Sequence, residues 1–169
     1  MMAQVYVGVG SNIAREQNIR AGVAAMRTVF GGMQISPMYE TPAMGFVGDP
    51  FYNLVVLFET ELDARAVKKE LDQIEQTYGR DRSAAKFSAR TLDLDLLLWD
   101  DIDLHAEGLD VPRHEILKYA FVLGPLAELA PEGQHPQSGA SFASLWARMQ
   151  QEDPVQVQSL RPVVLEMGV

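Results

Sequence analysis

Arg90-Thr91-Leu92-Asp93-Leu94-Asp95-Leu96-Leu97-Leu98-Trp99 is the stretch that decides the fold. Read with a period of two, it puts Asp93 and Asp95 on one face of a β-strand and Leu92, Leu94 and Leu96 on the other. One face packs and the other carries charge. Residues two apart on a strand are roughly 6.5–7 Å apart, a separation at which two carboxylates can share a pair of magnesium ions about 3.5–4 Å apart. An isolated Asp-x-Asp more often simply faces water, so the flanking residues matter. Residues 79–90 contain Arg80, Asp81, Arg82, Lys86 and Arg90, a net of +3, whereas residues 91–110 hold seven acids and no Lys or Arg. A cationic loop feeding an acidic strand suits a magnesium nucleotide, with Arg and Lys for phosphate oxygens and Asp for the metal.

Composition narrows the class. The 169 residues are 47% hydrophobic and 22% charged, as expected of one globular domain spanning 1–169. Its core would cover about residues 4–131, with a C-terminal extension over 132–169. The absence of cysteine excludes a disulfide framework and thiolate chemistry and suits a reducing compartment. Met1-Met2-Ala3-Gln4 is not the basic start of a signal peptide, and no apolar run approaches the roughly 20 residues that span a bilayer. A cytoplasmic location is expected. The formal net charge of −9 argues against general affinity for nucleic acid or an anionic membrane.

In chain order, residues 4–10 read as a buried strand that ends in Gly8-Val9-Gly10-Ser11-Asn12, a turn rather than a dinucleotide loop, since no third glycine follows. Ile19, Val23, Met26 and Phe30 predict a helix over 16–30, ended by Gly31-Gly32. Residues 33–39 form a second strand, with Pro37 marking an edge or an irregularity. A Pro- and Gly-rich loop over 40–50 precedes a strand over 51–60, in which Phe51, Asn53, Val55 and Leu57 share a face. Phe51 and Asn53 together could stack a flat heterocycle and read its hydrogen-bonding edge, although packing plus a turn contact also explains such a pair. Val67, Leu71, Ile74 and Tyr78 predict a helix over 63–78. After the acidic strand come a turn or hairpin over 100–110, a helical pattern from about 117 to 129 and a short helix over 141–150. A tail from 153 onward either adds a strand or hangs loose. This is a ferredoxin-like βαββαβ order, α+β in class. It implies a mainly antiparallel four-stranded sheet with helices on one face, the other face free for a ligand, and a mostly helical C-terminal extension.

The residues also carry a resemblance. Gly10-Ser11-Asn12, Tyr39-Glu40-Thr41-Pro42 with Gly45, Phe51-x-Asn53, Ile74-Glu75 with Gly79-Arg80-x-Arg82, the Arg90–Asp95 block, and Phe121-Val122-Leu123-x-Pro125-Leu126 occur in order. Together they resemble the 6-hydroxymethyl-7,8-dihydropterin pyrophosphokinase family of folate biosynthesis. The resemblance implies transfer of pyrophosphate from ATP to the pterin's hydroxymethyl oxygen, giving AMP and the pterin diphosphate. It also implies two Mg2+ ions held by Asp93 and Asp95, with Arg80, Arg82 and Arg90 completing the catalytic set. Glu75, Arg80, Arg82, Lys86, Phe87, Arg90, Arg113 and His114 would bind the nucleotide, and Thr41, Pro42, Met44, Phe51, Asn53 and Phe121 the pterin. The implied partners are these two small molecules, with no nucleic acid and no membrane, and a monomer is the default.

Some residues depart from the family's pattern. Ser88-Ala89 replaces the usual Gly-Pro before the Arg-Thr-Leu-Asp run, and Pro112-Arg113-His114 stands where Pro-His is usual. Tyr119 stands where an Arg is usual. Arg113 or His114 could supply the missing phosphate contact. The departures keep open a weakened paralogue that only binds pterin or nucleotide.

Overall fold

In the computed structural model, which describes residues 1–43, 47–78 and 91–167, a single sheet lies between two layers of helix. The elements run β1 (Ala3–Ser11), α1 (Arg15–Phe30), β2 (Gln34–Ile35), β3 (Met38–Thr41), β4 (Phe51–Thr60), α2 (Ala64–Thr77) and β5 (Asp93–Trp99), and then α3 (Ala120–Leu129), α4 (Phe142–Glu152), α5 (Pro154–Gln158) and β6 (Arg161–Val163). Tight 3-10 turns at His105–Glu107 and His114–Leu117 bridge β5 to α3. None of the described helices is long and apolar enough to cross a membrane.

The sheet is antiparallel in order β5-β1-β4-β3-β6, with β2 also on β4, and so has six strands rather than the expected four. Two causes account for the difference. Pro37 has no N–H for the ladder, so the strand expected over 33–39 splits into β2 and β3. Ser36 bridges the gap: its N–H donates to the Val55 carbonyl at 2.9 Å, and its hydroxyl accepts from the Val55 N–H at 2.8 Å. The tail supplies the other addition, β6, which pairs Val163 with Met38 at the sheet edge.

The helices expected on one face are there, but the opposite face, expected to be free for a ligand, is covered over much of its length. Val5, Val7, Val9, Leu54, Val56, Phe58, Leu94 and Leu96 pack beneath α1 and α2. The opposite face carries Tyr6, Val55, Leu97 and Leu98, which α3 and α4 cover with Leu123, Leu126, Phe142 and Leu145. A register shift between Tyr6 and Val7 brings Leu97 and Leu98 together into this second cluster. α3 is buried on nearly every side, so it packs as a core element and not as a surface helix. Gln156 of α5 accepts from the Ala120 N–H in the first turn of α3, tying the C-terminal region to that helix. Toward the far end of this second face Phe51, Asn53, Asp93 and Asp95 are only half-buried.

Asp63 caps α2 by accepting from the Ala66 N–H at 2.8 Å. α1 comes close to the sheet at Gly22, where an added Cβ would lie 2.8 Å from the fully buried Leu92 side chain. Gly22→Ala should therefore destabilise the fold. Overpacking costs about 1–3 kcal/mol and outweighs the roughly 0.5–1 kcal/mol gained in helix propensity. A urea midpoint equal to or above that of the parent protein would contradict this.

Candidate active site

The site begins with strand register. Asp93 on β5 pairs with Gly10 on β1, Gly10 with Asn53 on β4, and Asn53 with Tyr39 on β3; Asp95 pairs with Gly8. Directly opposed residues of antiparallel strands point to the same side, so the two acids and the carboxamide share one face. Strands about 4.8 Å apart place Asp93 and Asn53 roughly 10 Å from each other across β1. Gly10 keeps the space between them clear, since a Cβ there would lie 2.8 Å from the Asn53 side-chain oxygen. Asn53 Nδ2 donates to the buried Thr41 hydroxyl at 2.7 Å, which fixes how the carboxamide is presented. Phe51 lies opposite Thr41, and Pro42 follows at the surface.

Three carboxylates meet beside this row. Glu75, Asp93 and Asp95 each offer an oxygen within 4.8 Å of the others. Glu75 is 1% exposed, and its Oε2 accepts from the Leu94 N–H at 2.7 Å. β5 is an edge strand, so this N–H can turn away from the ladder toward α2. An all-carboxylate set of hard oxygen donors suits Mg2+ or Ca2+ rather than zinc.

Arg113 borders the cluster, with Nη2 3.6 Å from Asp95 Oδ1 and 2.6 Å from Glu115 Oε1, and Nε 2.8 Å from the same Glu115 oxygen. Burial pulls the Arg113 pKa down, but the Asp95 and Glu115 carboxylates outweigh it and raise it. The Arg113 N–H donates to the Leu97 carbonyl at 2.9 Å, which pins the turn to β5.

His114 is engaged elsewhere, with Nδ1 2.5 Å from Asp110 Oδ2. His105 bridges Asp103 at 2.6 Å and Asp110 at 3.0 Å, and Gln137 donates to the other Asp103 oxygen at 3.0 Å. The His105 backbone N–H, followed by the Gln137 and His105 side chains, draws the Asp103 carboxyl down to about 2. Hydrogen bonding to Asp103, then to Asp110, raises the His105 pKa.

The structure thus brings together Glu75, Asp93, Asp95 and Arg113, and separately Thr41, Phe51 and Asn53. Phe121, at the start of α3, stacks on the buried Tyr119 with ring centres 5.1 Å apart. Met44, Arg80, Arg82, Lys86, Phe87 and Arg90 lie outside the described residues. Two residues that sequence reasoning passed over stand out. Glu115 pairs with Arg113 only because a tight turn folds residues two apart together, and no periodicity signals that. Arg15 lies 3.8 Å over the Tyr52 ring, bonds Glu40 at 2.7 Å and donates to the Pro50 carbonyl at 3.0 Å, joining α1 to the strands on either side of residues 42–50.

Comparison with known proteins gives a consistent result. The profile of the 7,8-dihydro-6-hydroxymethylpterin-pyrophosphokinase (HPPK) family matches residues 6–131. A 2-amino-4-hydroxy-6-hydroxymethyldihydropteridine pyrophosphokinase from Synechocystis sp. is 33% identical over 165 residues, 96% of this chain and 82% of its own. One of the same name from Pseudomonas aeruginosa is 38% identical over 141 residues, 80% of this chain and 86% of its own. The crystal structure of wild-type Plasmodium falciparum HPPK-DHPS superposes with a TM-score of 0.72 at 12% identity, over 96% of this chain and 50% of that one, a likeness of fold. The chain spans about half the length of that solved protein.

The His105 network gives a pH prediction. A raised histidine pKa means that its stabilisation is complete below about pH 6.5, its ordinary value, and is lost as pH rises through the higher folded value. The melting-temperature gap between the parent protein and His105→Asn should therefore be wider at pH 6 than at pH 9. An equal gap at both pH values, measured by thermal unfolding, would rule out a charged His105 in this network.

Proposed function

The chain belongs to the 7,8-dihydro-6-hydroxymethylpterin-pyrophosphokinase family, and from that premise we propose how its residues divide the work of the reaction. The activity is pyrophosphoryl transfer from ATP to hydroxymethyldihydropterin in folate synthesis. The hydroxymethyl oxygen bonds to the β-phosphorus, and the bond from that phosphorus to the α,β-bridging oxygen breaks. AMP leaves with the bridging oxygen, and the hydroxyl proton passes to water.

One observation carries the assignment. Asp93 and Asp95 lie on the same sheet face as Asn53, with Gly10 holding the space open between Asp93 and Asn53. A pterin held at the Asn53 end would direct its hydroxymethyl arm toward a triphosphate at the carboxylate end. Asn53, oriented by Thr41, reads the pterin's hydrogen-bonding edge, Phe51 and Phe121 bound its ring faces, and Pro42 lines the remaining wall, with Met44 assigned to the pterin by resemblance. Glu75, Asp93 and Asp95 fit magnesium as all-oxygen ligands from two rigid elements, and Asp93 and Asp95 would hold its two ions. Bound magnesium would neutralise charge on the phosphates. Arg113 contributes a permanently charged guanidinium beside them, and Arg80, Arg82, Lys86, Phe87 and Arg90 are assigned to the nucleotide by resemblance. The order β5-β1-β4-β3 supports a ferredoxin-like core beneath the site, and the cysteine-free composition supports a cytoplasmic location.

The test is AMP release from ATP and magnesium, with and without 6-hydroxymethyl-7,8-dihydropterin, for the parent protein and Asp95→Asn. Pterin-dependent AMP should form and fall by about 10²–10³-fold in the variant, the scale of losing one preorganised electrostatic contact to a transition state. Turnover close to parental in the variant would remove Asp95 from the metal set. Pterin binding without AMP from the parent protein would favour the binding-module reading.

A further inference from the structure

We propose that Glu115 is a positioning residue that holds the Arg113 guanidinium off Asp95 and presents its free edge to the phosphate oxygens of the nucleotide. The inference rests on the pyrophosphokinase reading of the site.

The geometry separates two kinds of contact. Glu115 Oε1 takes both Nε and Nη2 of Arg113, at 2.8 and 2.6 Å, which are charge-assisted hydrogen bonds along one edge of the guanidinium. The 3.6 Å separation from Asp95 is too long for a hydrogen bond, so Asp95 attracts Arg113 without being tied to it. Glu115 is 8% exposed, and its anchor is correspondingly protected from water. Among the described residues the Nη1 group makes no hydrogen bond, and Arg113 remains half-buried beside the three-carboxylate cluster. A guanidinium with two nitrogens held and a third unengaged is preset for an anionic oxygen.

Without the Glu115 charge, the strongest attraction on Arg113 is Asp95. The guanidinium would close the 3.6 Å gap, bond Asp95 directly and compete with magnesium for the same oxygen. Glu115 therefore does two things through Arg113: it aims a cation at phosphate and leaves Asp95 available. His114 has no part in this, because Asp110 holds its ring at 2.5 Å. Of the two residues that could replace the missing arginine at Tyr119, the structure favours Arg113.

The test uses full-length parent protein, Glu115→Gln, Arg113→Gln and the double variant. The readouts are calorimetric binding of α,β-methylene-ATP with magnesium, whose α–β bridge cannot be cleaved, and melting temperature without ligand. Glu115→Gln should weaken binding about tenfold and raise the magnesium concentration needed for half-maximal binding. The double variant should bind no more weakly than Arg113→Gln alone. It should also melt higher than Arg113→Gln, because that single variant leaves a buried carboxylate without its cation. Parental affinity in Glu115→Gln, or a Glu115 effect that adds fully to that of Arg113, would overturn the proposal. If Glu115→Gln does not fold, Glu115→Asp keeps the charge but shortens the reach, and it should lose affinity in the same Arg113-dependent way; parental affinity there would overturn the proposal equally. Pterin-dependent AMP formation by the parent protein is measured alongside. Its absence would overturn the pyrophosphokinase reading, whereas its presence without coupling between Glu115 and Arg113 would overturn only the positioning role.

Discussion

A carboxylate buried as completely as Glu75 destabilises a fold unless hydrogen bonds replace its water, and the Leu94 N–H at 2.7 Å is one such bond. That contact helps to join α2 to the edge strand β5 midway between Asp93 and Asp95. It fixes the height of the strand against the helix, and a slip by one residue would turn both acids into the apolar layer beneath α1 and α2. The interaction that lets α2 carry a buried charge is thus the same one that keeps two further charges facing outward. A cation drawn to the three carboxylates would meet oxygens already held by rigid elements, which lowers the ordering cost of binding.

From β5 the arrangement continues across the sheet by register alone. Gly10 and Gly8 of β1 stand between the acids and β4, and they add no side chain to the face they cross. On either side of this plain stretch the requirements differ: acids and a carboxamide are left half-exposed, while Tyr6, Val55, Leu97 and Leu98 must be covered. α3 and α4 cover the apolar part. Burying each of these large side chains contributes about 1.5–3 kcal/mol, so the C-terminal third is required by the strands themselves and is not an appendage to the core.

The legible parts of the sequence were those governed by local periodicity. The 4-3-4 apolar spacing of α1 and α2, the period of two in β4 and β5, and the facing of Phe51 with Asn53 and of Asp93 with Asp95 all follow from repeats within one element. The six-stranded sheet was not legible, because its two additions arise from nonlocal choices. Pro37 marked an irregularity, but that both halves would stay on β4 depends on Ser36 meeting Val55, nineteen residues away. β6 needs the open edge of β3, which the tail's own residues do not announce. Val55 and Leu57 foreshadow a cover on the second face, but nothing local to them names the helices that supply it. At the site, Asp93, Asp95, Phe51 and Asn53 followed from strand periodicity and Glu75 and Arg113 from the resemblance, whereas Glu115 and Arg15 were missed because they act through a tight turn and through contacts between distant elements.

The 113–115 turn shows why residue type alone could not decide between Arg113 and His114. Both are basic and adjacent, and either could contact a phosphate. Successive residues in a tight turn point in different directions, so two neighbours cannot both serve one site. Under the proposal the acids nearby decide between them: Asp110 holds the histidine, while Glu115 holds the arginine and Asp95 only attracts it. The division also suits the chemistry. A guanidinium keeps its charge at any pH where the protein is folded. A phosphate met by the arginine would be insulated from pH, while His105 is confined to a network with Asp103, Asp110 and Gln137. Changes in protonation there can loosen the connection between β5 and α3 without altering the charge that faces the carboxylate cluster.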